Sequence, residues 1–411
     1  MKTVPAHLKH RTAQATITLT AEGKPLAHQA VNVAQTRHRF LFGSNWGSSI
    51  ALVNGELHGR AKEQAERREA LFLDLFNFAT LPFYWGRFEP VRGRPETAST
   101  RKAAEHYRLH GCKVKGHPLC WHTVCADWLL PLSNTEIIDA QMARIRREAG
   151  GFKGLVDMWD VVNEAVIMPV FDKYDNGITR ICQELGSLEL IRQTFQAARE
   201  TDPTATLVLN DFDTSPAYAE LIERCLDAGI QIDALGIQSH MHQGWWGLEK
   251  TQQVLERFER FGLPLQFTEI TLVSGELMPA HIVDLNDFQV DEWPTTPAGE
   301  ARQSEESAAF YQALFAHPLV SAITWWDMSD GSWLHAPAGL LRQDQSPKPA
   351  YESLHRLIKG EWWLPPTEMT TDANGCIRFD GYLGDYELGH AGRQKAFSLE
   401  KNGEVTLTVP L

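Results

Sequence analysis

Short apolar runs recur along this chain at 40–44, 75–80, 113–120, 156–163, 205–211, 233–240, 264–270 and 322–327. Longer stretches lie between them, at 63–76, 135–149, 187–200, 217–228, 250–261 and 304–315. In these the apolar residues fall three and four apart, which puts them on one face of a helix. The short runs are apolar at successive positions, so they predict strands covered on both faces, as a parallel sheet requires. Eight strand–helix units predict an α/β fold, a (β/α)8 TIM barrel over residues 40–360. An open doubly wound sheet would give the same alternation. No Gly-x-Gly-x-x-Gly follows the first strand, which weakens the dinucleotide-binding form of that alternative.

The two ends carry a different period. Ala15-Thr16-Ile17-Thr18-Leu19-Thr20 alternates and then turns at Glu22-Gly23-Lys24, so residues 12–39 read as a β-hairpin. Downstream, Ile377-Arg378-Phe379 and Val405-Thr406-Leu407-Thr408-Val409 alternate in the same way, after a turn at Asp372-Ala373-Asn374-Gly375. Isolated hairpins are marginally stable, so both ends are expected to pair into one small β-sandwich-like accessory module. The expected division is an N-terminal segment 1–39, the barrel 40–360 and a completing C-terminal segment 361–411, with Pro365-Pro366 marking the boundary. The module is expected to serve as a packing element, since its tryptophan content is low beyond Trp362-Trp363.

Composition narrows the function. The 411 residues are 43% hydrophobic and 22% charged, which is globular rather than disordered. Thirty-nine basic against 52 acidic residues leave a net charge of −13, which argues against nucleic-acid partners and anionic membranes. No run approaches the length of a membrane-spanning helix. The first 13 residues hold no apolar signal core, so the expected location is cytoplasmic, or secreted if a leader has been removed. The six cysteines show no disulfide framework and are expected to be reduced thiols. Thirteen tryptophans permit sugar-stacking platforms.

Reactive side chains of a (β/α)8 barrel sit where the strands end. The fourth strand finishes Trp159-Asp160-Val161-Val162-Asn163-Glu164 and the seventh Phe267-Thr268-Glu269. The sixth ends Gln238-Ser239-His240, and the third runs through Gly116-His117 to Trp121-His122. A single strand-end glutamate is more often a salt-bridged residue than a catalytic one. Two of them, with His, Asn, Gln and Trp at the same end, change the balance. Retaining glycoside cleavage needs a carboxyl pair about 5–5.5 Å apart, one protonated and one ionised.

The segment 159–164 resembles the acid/base signature of glycoside hydrolase family 10, whose best-known members are endo-1,4-β-xylanases. The resemblance continues through Gly236-Ile237-Gln238-Ser239-His240, Thr268-Glu269-Ile270, Ile323-Thr324-Trp325-Trp326 and Pro347-Lys348-Pro349-Ala350-Tyr351, in order over about residues 40–357. It implies Glu164 as general acid/base and Glu269 as nucleophile, with no cofactor and no metal. It further implies that Asn163 binds the sugar 2-hydroxyl and that His240 orients the nucleophile, with Gln238 tuning that contact. His117, Trp121 and Trp326 would line the −1 sugar site, and Trp333 a more distal wall.

The resemblance departs at the second strand. Family members usually carry an Asn-Glu and a downstream Lys that grip the sugar at −2. Here the sequence reads Leu81-Pro82-Phe83-Tyr84-Trp85-Gly86-Arg87-Phe88-Glu89-Pro90 and is about two residues shorter. A buried hydroxyl stripped of its partners costs about 1–3 kcal/mol. Either Arg87 compensates, or the site is closed beyond −1 and the enzyme is exo-acting or tolerant of varied aglycones. Tyr84, Arg87, Trp245 and Trp293 are therefore possible cleft residues. The stretch 272–302, with Asp284, Asp287, Asp291 and Glu292, is expected to overhang the cleft.

A zinc reading of His117, Cys120, His122 and Cys125 is disfavoured, because neighbours along a strand point to opposite faces. The expectation is thus a retaining β-glycoside hydrolase acting on xylan-derived or related β-linked oligosaccharides. The alternatives are a β-glucosidase- or β-galactosidase-like specificity on the same barrel, and a non-catalytic carbohydrate-binding barrel.

Overall fold

The computed structural model describes residues 4–45 and 49–410. Sixteen strands follow in chain order among them. They are β1 (Thr12–Ala21), β2 (Lys24–Pro25), β3 (Ala30–His38), β4 (Leu41–Asn45), β5 (Phe78–Pro82), β6 (Lys113–His117), β7 (Met158–Asn163) and β8 (Thr206–Asp211). Then come β9 (Ala234–Met241), β10 (Leu265–Leu272), β11 (Val320–Asp327), β12 (Thr367–Thr370), β13 (Cys376–Tyr382), β14 (Gly384–His390), β15 (Arg393–Leu399) and β16 (Gly403–Pro410).

Strands β4 to β11 close into one barrel in sequence order, each parallel to its neighbours, with β11 returning to β4. All six residues of β7 and all eight of β10 are buried, as a strand packed on both faces demands. Helices cover the outside and are punctuated by their own sequences. Asn134–Gly151 starts at a Ser133/Glu136 capping box, and Pro297–Ala316 starts behind a Thr296 cap. The barrel interior leaves no room at two glycines. A Cβ on Gly116 would lie 2.1 Å from Trp159 Cζ3, and one on Gly236 would lie 2.2 Å from Asn210 Oδ1.

The third strand ends at His117, short of the expected residue 120, because Pro118 has no N–H to continue the ladder. Cys120 keeps only an isolated bridge to Val162. The objection to zinc had assumed a continuing strand, and here the segment turns out of the sheet. Among the described residues no three His, Cys, Asp or Glu side chains gather as metal ligands.

The termini form two four-stranded sheets, β13-β1-β16 with β2 on β1, and β12-β3-β14-β15. The hairpin expected over 12–39 is corrected: only Lys24–Pro25 folds back on β1, while β3 crosses to the other sheet. The reason is burial. Ala13, Ala15, Ile17 and Leu19 on β1, and Val31 and Val33 on β3, can hide their apolar faces only by facing each other across a sandwich. Arg11 ties this module to the end of the barrel remote from the strand C-termini. Its guanidinium donates to the carbonyls of Phe315, His317 and Val320 at 3.0, 2.7 and 2.6 Å. Trp362 stacks on Phe315 beside it, ring centroids 4.1 Å apart.

Candidate active site

Apolar strand interiors deliver a set of polar side chains to one mouth, at the C-terminal ends of β6 to β11. Glu164 follows the last residue of β7 at φ +59°, a left-handed conformation that is uncommon for a residue with a side chain. It is held there from both sides. Its N–H donates to the Asn210 carbonyl at 2.8 Å, and the Asp211 Oδ2 accepts the Val166 N–H at 3.0 Å. Asp211 is fully buried, and burial pushes its carboxyl up to about 7.

The two glutamates are joined by a run of side-chain amides. Glu164 Oε1 accepts from Asn163 Nδ2 and Gln238 Nε2, each at 3.2 Å. Asn163 Oδ1 accepts from the same Gln238 amide at 3.1 Å and from Asn210 Nδ2 at 2.7 Å. The second N–H of Asn210 reaches Glu269 Oε1 at 2.9 Å, and Asn210 Oδ1 accepts the Thr268 hydroxyl at 2.7 Å. On its other side Glu269 Oε2 lies 3.1 Å from His240 Nε2. A chain of hydrogen bonds thus runs Glu164–Asn163–Asn210–Glu269 across the barrel.

The environments of the two carboxyls differ. Burial pushes the Glu164 carboxyl up to about 8, with the Glu269 and Asp211 charges adding to the rise. The Trp121 N–H and the Gln238 amide, turned toward it, offset part of this. Glu269, 4% exposed, sits between two donors that suit an ionised carboxylate. Such a pair can protonate a departing oxygen from one side and attack carbon from the other.

Around the pair stands a ring of aromatic groups. Trp326, at the end of β11, meets His117 edge-on at 5.2 Å and His240 at 6.0 Å. His117 Nδ1 lies 2.7 Å from Asp160 Oδ2, which places a proton on Nδ1 and orients the ring. Asp160 is fully buried beneath it. Against burial, the Lys115 ammonium at 2.9 Å and His117 hold that carboxyl below its ordinary range. Tyr84 packs 5.6 Å from both His117 and Trp121, and Arg87 lies over the Tyr84 ring at 5.7 Å. Burial and the Glu269 charge raise the Tyr84 phenol. Phe83 points the other way, into the core against Phe88, Phe152 and Trp159.

Four expected positions are corrected. Gln238 bonds to Glu164 and Asn163 rather than to the His240–Glu269 contact, because β9 directs it toward β7. Trp293 is only 9% exposed; its indole donates to the Glu276 carbonyl and its ring packs on Phe288, so it anchors its loop instead of offering a stacking face. Trp245 packs against the main core, as does Trp246, which meets Phe310 at 6.2 Å, since the chain turns there into the helix Gly247–Glu259. Trp333 stands nearer than a distal wall, its ring 4.7 Å from His240.

The stretch after β10 lies at the mouth. Lys173, in the segment after β7, reaches Asp284 and Asp287 at 2.6 Å each, and the Trp333 indole donates to Asn286 Oδ1 at 3.3 Å. Asn210, which links Asn163 to Glu269, is the member of this hydrogen-bond chain that sequence reading passed over. It had the same signal as the others, a polar residue closing an apolar run, in Leu207-Val208-Leu209-Asn210.

Residues 51–357 match the family model described as Glycosyl hydrolase family 10, which leaves the terminal β-module outside. An endo-1,4-beta-xylanase B of Thermotoga neapolitana is 26% identical over 294 residues, 67% of this chain and 78% of that protein. An endo-1,4-beta-xylanase/feruloyl esterase of Xylanibacter ruminicola is 25% identical over 288 residues, 63% of this chain but 39% of that much longer protein. Among solved structures, native xylanase 10B of Thermotoga maritima superposes with a TM-score of 0.64 at 23% identity, covering 79% of this chain and 96% of that one. No helix among the described residues is long and apolar enough to cross a membrane.

Proposed function

The chain belongs to glycosyl hydrolase family 10, and on that premise we propose that it hydrolyses β-linked xylo-oligosaccharides or closely related β-glycosides with retention of configuration. The observation that carries this reading is two carboxyls joined by one hydrogen-bond chain in unlike surroundings. Burial pushes the Glu164 carboxyl up, while Glu269 lies between the Asn210 amide and the His240 ring.

In the first step Glu269 attacks the anomeric carbon and Glu164 gives its proton to the departing oxygen, so the glycosidic C–O bond breaks as the ester C–O bond forms. The charge on Glu269 is then gone and no longer raises the Glu164 carboxyl, so Glu164 stays ionised and is ready to act as the base. Water, deprotonated by Glu164, attacks the same carbon, and Glu269 departs as carboxylate. Both carboxyls return to their starting states. Asn163, with one Nδ2 hydrogen on Glu164, has a second to offer a sugar hydroxyl. His117, Trp121 and Trp326 form the wall of the −1 site.

A second reading, exo action on small glycosides, has its own support. Tyr84 stands against His117 and Trp121, where the sequence lacks the polar residues that would grip a further sugar. Arg87 is exposed at the rim, its guanidinium over the Tyr84 ring.

The test is hydrolysis of aryl β-xyloside, aryl β-glucoside, aryl β-galactoside, aryl β-xylobioside and polymeric xylan, with Glu269→Gln as control. Cleavage of xylobioside and xylan upholds the first reading. Cleavage confined to monosaccharide glycosides upholds the second. Inactivity on all five overturns both.

A further inference from the structure

Thr271 lies on β10 two residues beyond Glu269, and its hydroxyl sits among three nitrogen atoms of the neighbouring strand and the residue that follows it. The Met241 N–H donates to Thr271 Oγ1 at 3.2 Å. His240 Nδ1 lies 3.3 Å from the same oxygen, and His242 Nδ1 lies 3.4 Å from it. A threonine hydroxyl has one proton and two lone pairs. One lone pair is taken by Met241, so one imidazole must donate to Thr271 and the other must accept from it.

The far side of His240 decides which. Its Nε2 faces Glu269 Oε2 at 3.1 Å. A bare Nε2 there would set a lone pair against a carboxylate oxygen, whereas Nε2–H makes a charge-assisted hydrogen bond. A neutral His240 with its proton on Nε2 has a bare Nδ1, which must receive the Thr271 proton. His242 is then left to donate from its own Nδ1 and keeps a bare Nε2. That atom is buried and finds no hydrogen-bond partner in the structure, in a ring wedged 5.1 Å from Trp333 and 6.0 Å from Trp293. A bare acceptor there is the less costly orphan, since an unpaired N–H would give up a donor that Thr271 can satisfy.

We propose that Thr271 is a positioning residue whose single proton sets the tautomers of His240 and His242, so that His240 presents a fixed Nε2–H to Glu269. The hydrogen-bond run is His242 Nδ1–H to Thr271 Oγ1, Thr271 O–H to His240 Nδ1, and His240 Nε2–H to Glu269. The donor is thereby held in one orientation toward Glu269. Its catalytic consequence rests on the reading of Glu269 as nucleophile given above; the tautomers rest only on Glu269 being ionised.

The test has two independent parts. Nitrogen-15 NMR of the histidine rings in the full chain at pH 7.5, assigned with His240→Asn and His242→Asn, should show an Nε2–H tautomer for His240 and an Nδ1–H tautomer for His242. The reverse pair, or a charged His240, overturns the proposal. Second, kcat and KM on the aryl glycoside that the wild type cleaves best are compared for Thr271→Val and Thr271→Ser. The valine variant should lose about 10- to 100-fold in kcat with KM nearly unchanged, and serine should restore it to within about threefold. A valine variant with wild-type kcat, or a serine variant as impaired as valine, refutes the role. Should valine fail to fold, the wild-type tautomers still decide. Should the wild type cleave nothing, the proposed function fails while the NMR result stands by itself.

Discussion

Replacing Gln238 with leucine removes one of the two amide donors on Glu164 Oε1 and leaves the other, Asn163, in place. A donor to a carboxylate favours the ionised form, so its loss should raise the Glu164 pKa. The 3.2 Å contact is at the long end of the hydrogen-bond range. Its worth is therefore set near the bottom of the span for charged groups, about 1.5 kcal/mol. At 1.36 kcal/mol for each tenfold change, that moves the titration by about one pH unit. Glu164 stands at about 8 in the intact site. As the acid it must be protonated, so kcat/KM should hold below that pH and fall as pH rises through it. In Gln238→Leu the same fall should come near pH 9. The assay is kcat/KM against pH from 6 to 10.5 with a phenyl glycoside, whose departure needs the proton. A dinitrophenyl glycoside, which leaves unaided, serves as the control and should show a much weaker alkaline fall in both proteins. An alkaline limb in Gln238→Leu that stays put or moves down would falsify the assignment of Glu164 as the acid tuned by this contact.

The same titration has a stability face. Because the folded-state pKa of Glu164 lies above the ordinary carboxylate value, its contribution is full at pH 4 and is lost as pH rises through about 8. Glu164→Gln should thus gain stability over wild type at pH 9 relative to pH 5, by a few kcal/mol, read as thermal midpoints. Asn210→Ala cuts the chain between the carboxyls and should lower kcat about 100-fold, measured on the phenyl glycoside. Gly236→Ala should reproduce part of that loss without removing any polar group, since the new Cβ would press on Asn210 Oδ1; about 1–3 kcal/mol of stability should go with it. Arg11→Ala should cost about 2–4 kcal/mol by orphaning three carbonyls and should open the terminal module to protease before the barrel melts.

The barrel was legible because each strand is a short run buried on both faces, a pattern no surface segment shares. Glu164 and Glu269 were legible because a charged residue closing such a run has no packing reason to be there. Neighbours across the mouth were harder. Gln238 and His240 lie two residues apart and read alike, yet Gln238 reaches Glu164 past the intervening β8 while His240 meets Glu269 on the adjacent β10. Trp293 and Trp245 look like sugar platforms in sequence and are packing residues in space, since indole suits both uses. The hairpin over residues 12–39 failed because alternation reveals that a strand has a buried face, not which sheet will cover it. Tyr84 packs against His117 and Trp121 with Arg87 over its ring, while Phe83 beside it goes to the core, a split that the run of aromatics does not reveal.

The module's first sheet pairs β1 with β16 in parallel, Thr16 beside Thr406, with β13 on the other edge. On the ribosome, β1 emerges long before either partner has been made. The barrel strands, each needing only the next in line, can close while β1 and β3 still trail unpaired. The sandwich is then the last part of this chain to be assembled. Nascent chains from which residues 367 onward have yet to emerge should carry a formed barrel with β1 and β3 lacking their sandwich partners at its foot, a surface that invites chaperones or pairing with another copy.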